Sequence, residues 1–300
     1  MTLNELRFIV AVAQERNFRR AAEKSFISQP ALSLAIQKLE EELGLKIFER
    51  GKSEIKITPA GNAIVEQAQR VLEEVELLRQ IAAQGQNQLA TPLRIGIIHS
   101  VGPYLLPDLI PALKKVAPQM PLEVEENITA NLDTLLRNGK LDVIVIALPF
   151  GDAGILTHPL YDESFDVVVN NEHRWAGRYS IKASELAEEK VLLLNSGHCF
   201  SNQVAEACPE LRKGADIQQG TSLETIRNMV ASGLGITVLP ASANSTRYRS
   251  RLLKVIPFAK PVPSRRIALA WRKSFARTQA IDALVQAVAQ AKITGIQHLP

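Results

Sequence analysis

Residues 18–61 read FRRAAEKSFISQPALSLAIQKLEEELGLKIFERGKSEIKITPAG, and they carry most of the information about the N-terminal fold. The first nine have the spacing of a short helix, with Ala21, Ala22 and Phe26 on its inward face. Upstream, residues 3–13 also place apolar side chains at helical spacing. Two helices are therefore predicted at the start of the chain.

A third, longer helix is predicted after Ser28. The Ser28 hydroxyl can accept hydrogen bonds from the first backbone N–H groups, and Pro30 fits in the first turn. Its apolar face comprises Leu32, Ala35, Ile36, Leu39 and Leu43. Gly44 is a typical C-terminal stop, and LKIFERGKSEIKIT offers two short alternating runs around Gly51, which indicate a β-hairpin. Three helices and a wing define a winged helix-turn-helix, mainly α.

The third helix contains the residues predicted to contact DNA bases, because the second helix of a helix-turn-helix enters the major groove. Side chains suited to base edges are Ser28, Gln29, Pro30, Ser33, Leu34, Gln37 and Lys38. Side chains suited to phosphates are Arg19, Arg20, Arg50 and Lys52. On these residues alone, a small helical protein-binding domain with solvated charges remains an alternative.

A long helix is predicted to follow the wing, with Thr58 as N-cap and Pro59 in the first turn. It runs to about Gln84, roughly 37 Å at 1.5 Å per residue. Its heptad seam comprises Ile64, Ala68, Val71, Val75, Leu78 and Ala82. A narrow apolar stripe on a long polar helix is typical of a dimerisation element. The polar segment AQGQNQLATP (83–92) predicts a linker.

From residue 92 onward, short apolar strands alternate with helices. The predicted strands are LRIGII, LEVEEN, LDVIVIAL, FDVVV, KVLLLN, ITVLP and RRIALAW. Such alternation predicts α/β layers with largely parallel sheets. Some 210 residues arranged in two such sets indicate two Rossmann-like subdomains with a ligand cleft between them.

Composition excludes several classes of protein. The chain has 300 residues, 46% of them hydrophobic, which rules out wholesale disorder and favours two or three domains. Two cysteines are too few for a disulfide scaffold, and no run of 18 apolar residues predicts a membrane span. Without a visible targeting signal, the expected location is the cytoplasm.

The net charge of +4 is a poor guide to nucleic-acid binding, because it is unevenly distributed. Residues 1–90 contain 12 basic and 12 acidic side chains, whereas residues 91–244 contain 12 and 18. Residues 245–300 contain 11 basic side chains and 1 acidic. We interpret this excess as a solvated face or a partner for the acidic middle segment.

The two cysteines, Cys199 and Cys208, lie within one window of ten residues. Cys199 follows His198 where a helix is predicted to start, and a helix N-terminus favours a thiolate that peroxide can oxidise. Their Cα atoms would be roughly 13 Å apart in a helix, so a disulfide would force it to unwind. Two buried structural cysteines remain the alternative. A zinc site is disfavoured because no clear fourth ligand lies nearby.

The stretch 18–61 resembles the N-terminal signature of LysR-type transcriptional regulators. The similarity covers the two helices, the SQPALS turn, ELGLKIFER and the TPAG that opens the long helix. Members of that family often have a polar pair after the second Ser, where this chain has Leu34 and Ala35. The resemblance implies a periplasmic-binding-protein-like regulatory region and a homotetramer.

Similarity to the peroxide-sensing members of that family extends over essentially the whole chain. It is carried by SVGPYLLPDLIPAL, GKLDVIVIALP, GHC with a second Cys nine positions later, and RRIALAWRKSFAR. The resemblance implies that Cys199 is the peroxidatic thiol and Cys208 the resolving thiol. It further implies roles for His198 and Thr129 at the peroxide and for Arg266 in stabilising the thiolate. Ser100 stands where the family usually has another threonine, and Ser retains the hydroxyl.

The sequence therefore predicts a hydrogen-peroxide-sensing DNA-binding transcription regulator, not an enzyme, switched by a reversible Cys199–Cys208 disulfide. The expected domains are 1–58 for DNA binding, 59–90 for the linker helix and hinge, and 91–300 for regulation. Within the last, subdomain I comprises about 91–162 and 268–300, and subdomain II about 163–267. Expected partners are double-stranded DNA, further copies of the chain, RNA polymerase, and a glutaredoxin- or thioredoxin-type reductant. No cofactor, metal or membrane is expected.

Two rival functions remain open from the sequence. In one, the regulator responds to a small metabolite in the cleft between the subdomains. In the other, the chain is a thiol peroxidase with an accessory helical domain.

Overall fold

A computed structural model describes residues 1–50, 55–83, 88–195, 197–209, 211 and 216–299. The chain divides into two compact units, Met1–Gly85 and Gln86–Pro300. The first contains α1 (Leu3–Glu15), α2 (Phe18–Lys24), α3 (Gln29–Leu43), β1 (Phe48–Arg50), β2 (Ile55–Ile57) and α4 (Pro59–Ala83). Strands β1 and β2 pair antiparallel, as expected of a wing. The tip around Gly51 lies outside the described residues.

Both ends of α3 follow the chemistry that the sequence predicts. The Ser28 Oγ accepts from the Ala31 N–H at 3.4 Å, so Ser28 is the N-cap. At the other end Gly44 has φ +70°, a left-handed conformation that glycine adopts without strain. Leu32, Ile36 and Leu39 are buried between these ends. Both limits of the helix are thus set by its own sequence.

Phe26 does not face inward as predicted. It is 96% exposed, with φ +56°. Helix α2 ends at Lys24, so the helical spacing that suggested an inward position stops before Phe26 is reached. Ala21 and Ala22, which lie inside α2, are buried as expected.

A buried carboxylate ties α3 to the wing. The Glu40 Oε1 accepts from the backbone N–H groups of Ile47 and Phe48 at 2.9 and 3.1 Å, and Oε2 accepts from Lys46 Nζ at 2.8 Å. Burial favours the neutral acid, but the hydrogen bonds from Lys46, Phe48 and Ile47 outweigh it and lower the pKa of Glu40. The start of the wing is therefore fixed by an ionised group on α3.

The TPAG motif joins the wing to α4 through close backbone contacts. The Thr58 Oγ1 accepts from the Gly61 N–H at 2.8 Å and donates to the Lys46 carbonyl at 2.7 Å. A Cβ on Gly61 would lie 2.3 Å from the Ile47 oxygen, so only glycine fits there. Thr58 acts as the predicted N-cap.

The heptad seam of α4 has two different environments. Ala68 is buried, and Ile64 and Val71 pack against the core formed with α1, α2 and α3. Leu78, farther along the seam, is 66% exposed. The first half of the stripe therefore completes the N-terminal core, and the later part at Leu78 remains uncovered within this chain.

The second unit begins with alternating strands and helices. These are β3 (Leu93–Ile98), α5 (Gly102–Val116), β4 (Leu122–Asn127), α6 (Thr129–Arg137), β5 (Val143–Ala147) and the long β6 (Ile155–Asn170). Next come β7 (Lys190–Leu194), α7 (Cys199–Ala207), β8 (Asp216–Gly220), α8 (Leu223–Ala231) and β9 (Ile236–Pro240). The unit ends with β10 (Leu253–Pro257), β11 (Ser264–Arg272), α9 (Thr278–Gln290) and β12 (Ile296–His298). Short 3₁₀ helices span Ala183–Glu188, Ala241–Asn244 and Thr246–Tyr248.

The strands follow the order β4-β3-β5-β11-β6-β9-β7-β8, with β10 and β12 also paired to β6. The pairs β3–β4, β3–β5, β7–β8 and β7–β9 are parallel, as predicted. Strands β6 and β11 run antiparallel to each other and to further neighbours, so the sheet is more mixed than the alternation suggested. The two long strands connect the two halves of the unit.

Two hydrophobic cores lie along this path. The first core gathers apolar side chains of β3, β5, β11, α5, α6 and α9, and the second core those of β7, β9, β10, α7 and α8. Strand β6 supplies Tyr161 to the first core and Phe165 to the second. Each core belongs to one set of α/β layers, which fits the expected pair of Rossmann-like halves.

Candidate functional site

The two cysteines lie at the two ends of one short helix. Cys199 is the first residue of α7, and Cys208 is the C-cap, whose N–H donates to the Val204 carbonyl at 2.8 Å. No disulfide joins them. Nine residues of helix separate their Cα atoms by roughly 13 Å at 1.5 Å per residue. Disulfide formation requires about 7 Å or less, so α7 must unwind before the sulfurs can bond.

The two thiols lie in different cores. Cys199 is half-buried and packs against the first core, although it belongs to a helix of the second. Cys208 is 0% exposed and lies in the second core together with Phe200 and Val204. The start of α7 is therefore a contact between the two halves of the regulatory unit, and its end is an interior position of one half.

The N-terminus of α6 lies next to the loop that precedes Cys199. A Cβ on Gly197 would lie 3.9 Å from the Ile128 Cδ1, in ordinary contact. Thr129 follows Ile128 as the first residue of α6. The Thr129 Oγ1 is buried and has no hydrogen-bond partner among the residues that the structure describes. A buried hydroxyl without a partner favours a small polar ligand at this position.

Ser100 belongs to a buried polar network centred on Arg265. The Arg265 guanidinium donates to the Ser100 Oγ at 2.7 Å, to the Ser100 carbonyl at 2.9 Å and to Glu163 Oε2 at 2.8 Å. It also lies over the ring of Phe200, 4.9 Å from the centroid. Because Phe200 follows Cys199 in α7, this network brings a positive charge to the start of the cysteine helix.

The structure places Arg265, and not Arg266, in the network around Ser100; a role of Arg266 in stabilising the thiolate stays a prediction. Arg266 forms a two-pronged ion pair with Asp162, at 2.7 and 2.8 Å, on the exposed side of β11. Neighbouring residues of a strand point to opposite faces, so only one of two consecutive arginines can reach Ser100. Sequence reasoning missed Arg265 and its partner Glu163 because the side of β11 facing α7 depends on the packing of the sheet.

His198 is the N-cap residue of α7, but its side chain makes no capping hydrogen bond. Its ring lies 5.4 Å from that of His99, which directly follows β3. Burial, and after it the charge of His99, lowers the pKa of His198. His198 is therefore held as a neutral imidazole beside Cys199. Sequence reasoning missed His99, whose position after a parallel strand, at the carboxyl edge of the sheet where ligands bind, was the available signal.

On α3, most of the predicted base-contacting side chains lie on the exposed face. Gln29, Pro30, Gln37 and Lys38 are exposed, Ser33 is half-buried, and Ser28 occupies the N-cap. Leu34 is 68% exposed on the same helix. A leucine this open has no role in the core.

The structure describes the side chains of only two of the four residues that are predicted to contact phosphates. Arg19 is exposed and pairs with Glu23 at 3.1 Å, and Arg20 donates to the Glu15 carbonyl at 2.7 Å. Arg50 ends β1, but its side chain lies outside the described residues, as does all of Lys52. Both described arginines lie at the start of α2, next to α3 in the chain.

Much of the C-terminal basic excess serves the regulatory unit itself. Arg265 pairs with Glu163, and Arg247 pairs with Asp108 at 3.2 Å. Arg277 donates to the carbonyls of Gln88, Thr91 and Pro92. These contacts agree with the interpretation that the basic tail partners the acidic middle segment.

In the described parts of the chain, no group of three or more His, Cys, Asp or Glu side chains could hold a metal ion. No helix in those parts is long and apolar enough to cross a membrane.

A winged helix-turn-helix followed by a long helix and a two-core α/β unit is the architecture of a class of bacterial regulators. Residues 3–62 match the bacterial regulatory helix-turn-helix protein, lysR family, and residues 86–292 match the LysR substrate binding domain. The chain belongs to the LysR family of DNA-binding transcription regulators. The predicted fold class is confirmed.

Within that family the chain is similar to peroxide regulators. It is 39% identical over 296 residues to the DNA-binding transcriptional dual regulator OxyR of Escherichia coli K12, covering 98% of this chain and 97% of that protein. It is 41% identical over 275 residues to a hydrogen peroxide-inducible genes activator of Pectobacterium carotovorum, covering 91% and 90%. A solved structure of full-length OxyR from Pseudomonas aeruginosa has 50% identity and a TM-score of 0.79, covering 98% and 96%.

Proposed function

We propose that this protein is a hydrogen-peroxide-sensing transcription regulator, switched by a reversible Cys199–Cys208 disulfide. The observation that carries the proposal is one helix with a thiol at each end, Cys199 packed against one core and Cys208 buried in the other. The similarity to a hydrogen peroxide-inducible genes activator supports the same stimulus.

The first chemical step is oxidation of Cys199. Its thiolate sulfur attacks one oxygen of hydrogen peroxide, so that an S–O bond forms and the O–O bond breaks. The leaving hydroxide takes up a proton and departs as water. Thr129 and Ser100 offer hydroxyls to the peroxide, and His198 is a neutral imidazole that can both donate and accept a hydrogen bond.

The second step forms the disulfide. The Cys208 thiolate attacks the Cys199 sulfur, so that the S–S bond forms, the S–O bond breaks and the oxygen leaves as a second water after protonation. Because α7 must unwind, Cys199 leaves the first core and Cys208 leaves the second. A local oxidation thereby changes the contact between the two halves of the regulatory unit. A dithiol reductant of the glutaredoxin or thioredoxin type reverses the reaction.

We propose that the exposed face of α3 binds DNA bases through Gln29, Ser33 and Gln37, with Leu34 against a thymine methyl. Arg19, Arg20, Arg50 and Lys52 bind phosphates. The family is one of DNA-binding regulators, and the open side chains of α3 fit that use. RNA polymerase is the proposed partner at the promoter.

The proposed domain limits are 1–58, 59–90 and 91–300, with subdomain I at 91–162 and 268–300 and subdomain II at 163–267. The exposed part of the α4 seam at Leu78 supports association of two copies through their linker helices, within a homotetramer. The protein acts in the cytoplasm, where its DNA and a thiol reductant are found, and needs neither a cofactor nor a membrane.

The test is peroxide titration of the full chain, with transcription from a target promoter measured in parallel. The wild type should lose two thiols per chain at stoichiometric peroxide, whereas Cys208→Ser should accumulate a sulfenic acid that dimedone traps. Cys199→Ser should show neither change and no transcriptional response. A transcriptional response in Cys199→Ser would contradict the proposal and favour a metabolite in the cleft.

We further propose that the protein is a regulator and not a peroxidase. Each chain reduces one molecule of peroxide and then stays oxidised until a reductant acts on it. Peroxide consumption should stop near one equivalent per chain when the reductant is limiting. Continued turnover with thioredoxin or glutathione, at the rate of a peroxide-removing enzyme, would contradict this part.

A further inference from the structure

His99 is a second histidine at the site, and neither the proposed chemistry nor the resemblance assigns it a role. It directly follows β3, its side chain is 40% exposed, and its ring lies 5.4 Å from that of His198 at an angle of 59°. Two imidazoles this close repel each other when both carry a proton. The pair therefore accepts its first proton more readily than its second.

The two histidines differ in their charged neighbours. The His99 Nδ1 lies 3.8 Å from Glu126 Oε2, whereas His198 has no carboxylate partner within the described residues. Glu126 itself packs against the start of α5, because a Cβ on Gly102 would lie 2.1 Å from its Oε1. A helix N-terminus favours a negative charge, so the carboxylate is a counter-ion for His99.

The other charged groups at this site do not compete for the proton. Arg265, from β11, binds Ser100 and is paired with Glu163 from β6. Its charge is therefore balanced by Glu163 within the buried network. Cys199, the first residue of α7, directly follows His198 and is a further titratable neighbour.

We propose that His99 is a positioning residue for the peroxide reaction: beside its counter-ion Glu126, it disfavours a second positive charge on His198 and so keeps that imidazole neutral beside Cys199. A neutral imidazole has one donor and one acceptor nitrogen, whereas an imidazolium has two donors. His198 thus retains an acceptor for the peroxide O–H in mildly acidic solution. No atom of His99 enters the reaction, so the atoms and electrons of the Cys199 oxidation balance as described above.

The inference rests on the proposed function, and it is tested by two separate measurements. The first is NMR titration of the full chain labelled in its histidine rings, which reports the pH midpoint of His198. In His99→Gln that midpoint should rise by about half a unit to one unit, because a neighbouring positive charge is removed. In Glu126→Gln it should rise by less, and in His99→Lys, which keeps a charge, it should stay as low as in the wild type.

The second measurement is the rate of Cys199 oxidation between pH 5 and 8. The acidic limb of the profile should move to higher pH in His99→Gln by the same amount as the midpoint, and His99→Lys should restore it. His158→Gln, an exposed histidine on β6, is the matched control and should change neither quantity.

An unchanged His198 midpoint in His99→Gln would overturn the inference. Equal behaviour of His99→Lys and His99→Gln would also overturn it, since His99 would then act through its shape alone. If wild-type Cys199 fails to react with peroxide at any pH, the proposed function fails instead, and the NMR titration still decides the role of His99.

Discussion

Helices α3 and α7 are both short and amphipathic, but their ends differ. Helix α3 is capped by Ser28, stopped by Gly44 and tied to the wing through Glu40. Helix α7 has no side-chain cap at His198, and its first and last positions contact different cores. Its start is held by the Ser201 hydroxyl, which donates to the Leu194 carbonyl at 2.6 Å.

The difference matches what each helix has to do. A helix that presents side chains to DNA must keep one conformation, so local capping and buried packing reinforce each other. A helix that separates two reactive thiols by roughly 13 Å must be able to unwind, so weak ends are an advantage. Four substitutions test this contrast.

The largest effect is expected for Leu39→Ala on α3. Leu39 is fully buried in the N-terminal core, and a leucine-to-alanine change in such a site costs about 2–5 kcal/mol. Hydrogen exchange of α1–α3 in the full chain should accelerate, and DNA affinity should fall. Leu34→Ala, on the exposed face of the same helix, should leave exchange unchanged and serves as the control. Slow exchange in Leu39→Ala would show that α3 does not depend on its core.

The next effect is expected for Glu40→Gln, which removes an ionised hydrogen-bond acceptor. The loss should be about 1–3 kcal/mol at pH 7, again read from exchange of α3 and the wing. The pKa of Glu40 is lowered from 4.5, so its stabilisation is complete above that value. It disappears as the pH falls through the lower pKa of the folded protein.

The difference between wild type and Glu40→Gln should therefore shrink in acid. Glu41→Gln, an exposed neighbour on α3, should have little effect at any pH. An equal difference at every pH would show that the charge of Glu40 contributes nothing.

A smaller loss is expected for Ser28→Ala, which removes the N-cap of α3. Such substitutions cost about 1 kcal/mol, whereas Ser28→Gly should cost only a few tenths. Exchange at the first turn of α3 should distinguish the two variants. Equal protection in both would show that the 3.4 Å contact to Ala31 does not cap the helix.

The smallest effect is expected for Asn202→Ala in α7. Asn202 is exposed, and alanine favours helix by roughly half a kcal/mol, which should slow disulfide formation about twofold. Asn202→Gly should accelerate it, and neither variant should alter the first oxidation of Cys199. Rapid-quench mass spectrometry separates the two steps. Equal rates of the second step in both variants would show that unwinding of α7 does not limit it.

Features that depend on neighbouring residues in the chain were predicted well. The caps at Ser28, Gly44 and Thr58 form as expected, because each contact involves backbone groups a few residues away. The error at Phe26 has the same origin: a left-handed residue ended the helix earlier than the apolar spacing suggested.

Features that depend on the arrangement of the sheet were predicted less well. The choice between Arg265 and Arg266 follows from which face of β11 turns towards α7, and two consecutive arginines look alike in a sequence. The early part of β6 was missed, because its pairing with β11 is antiparallel and distant in the chain. His99 became a candidate only when β3 and α7 brought two histidines together.

The amino-acid sequence determined the type of each unit, the ends of α3 and the two thiols on one helical segment, because local hydrogen bonds and side-chain spacing act over a few residues. The tertiary structure determined which groups from other elements lie near the start of α7. Arg265 on β11 meets Glu163 on β6 and Ser100 after β3, and His99 lies beside His198. Both contacts depend on long-range pairing of strands and packing of helices. That assembly places Cys199 against one core and Cys208 in the other, and in the proposed mechanism it thereby links a two-electron oxidation to the contact between the halves of the regulatory unit.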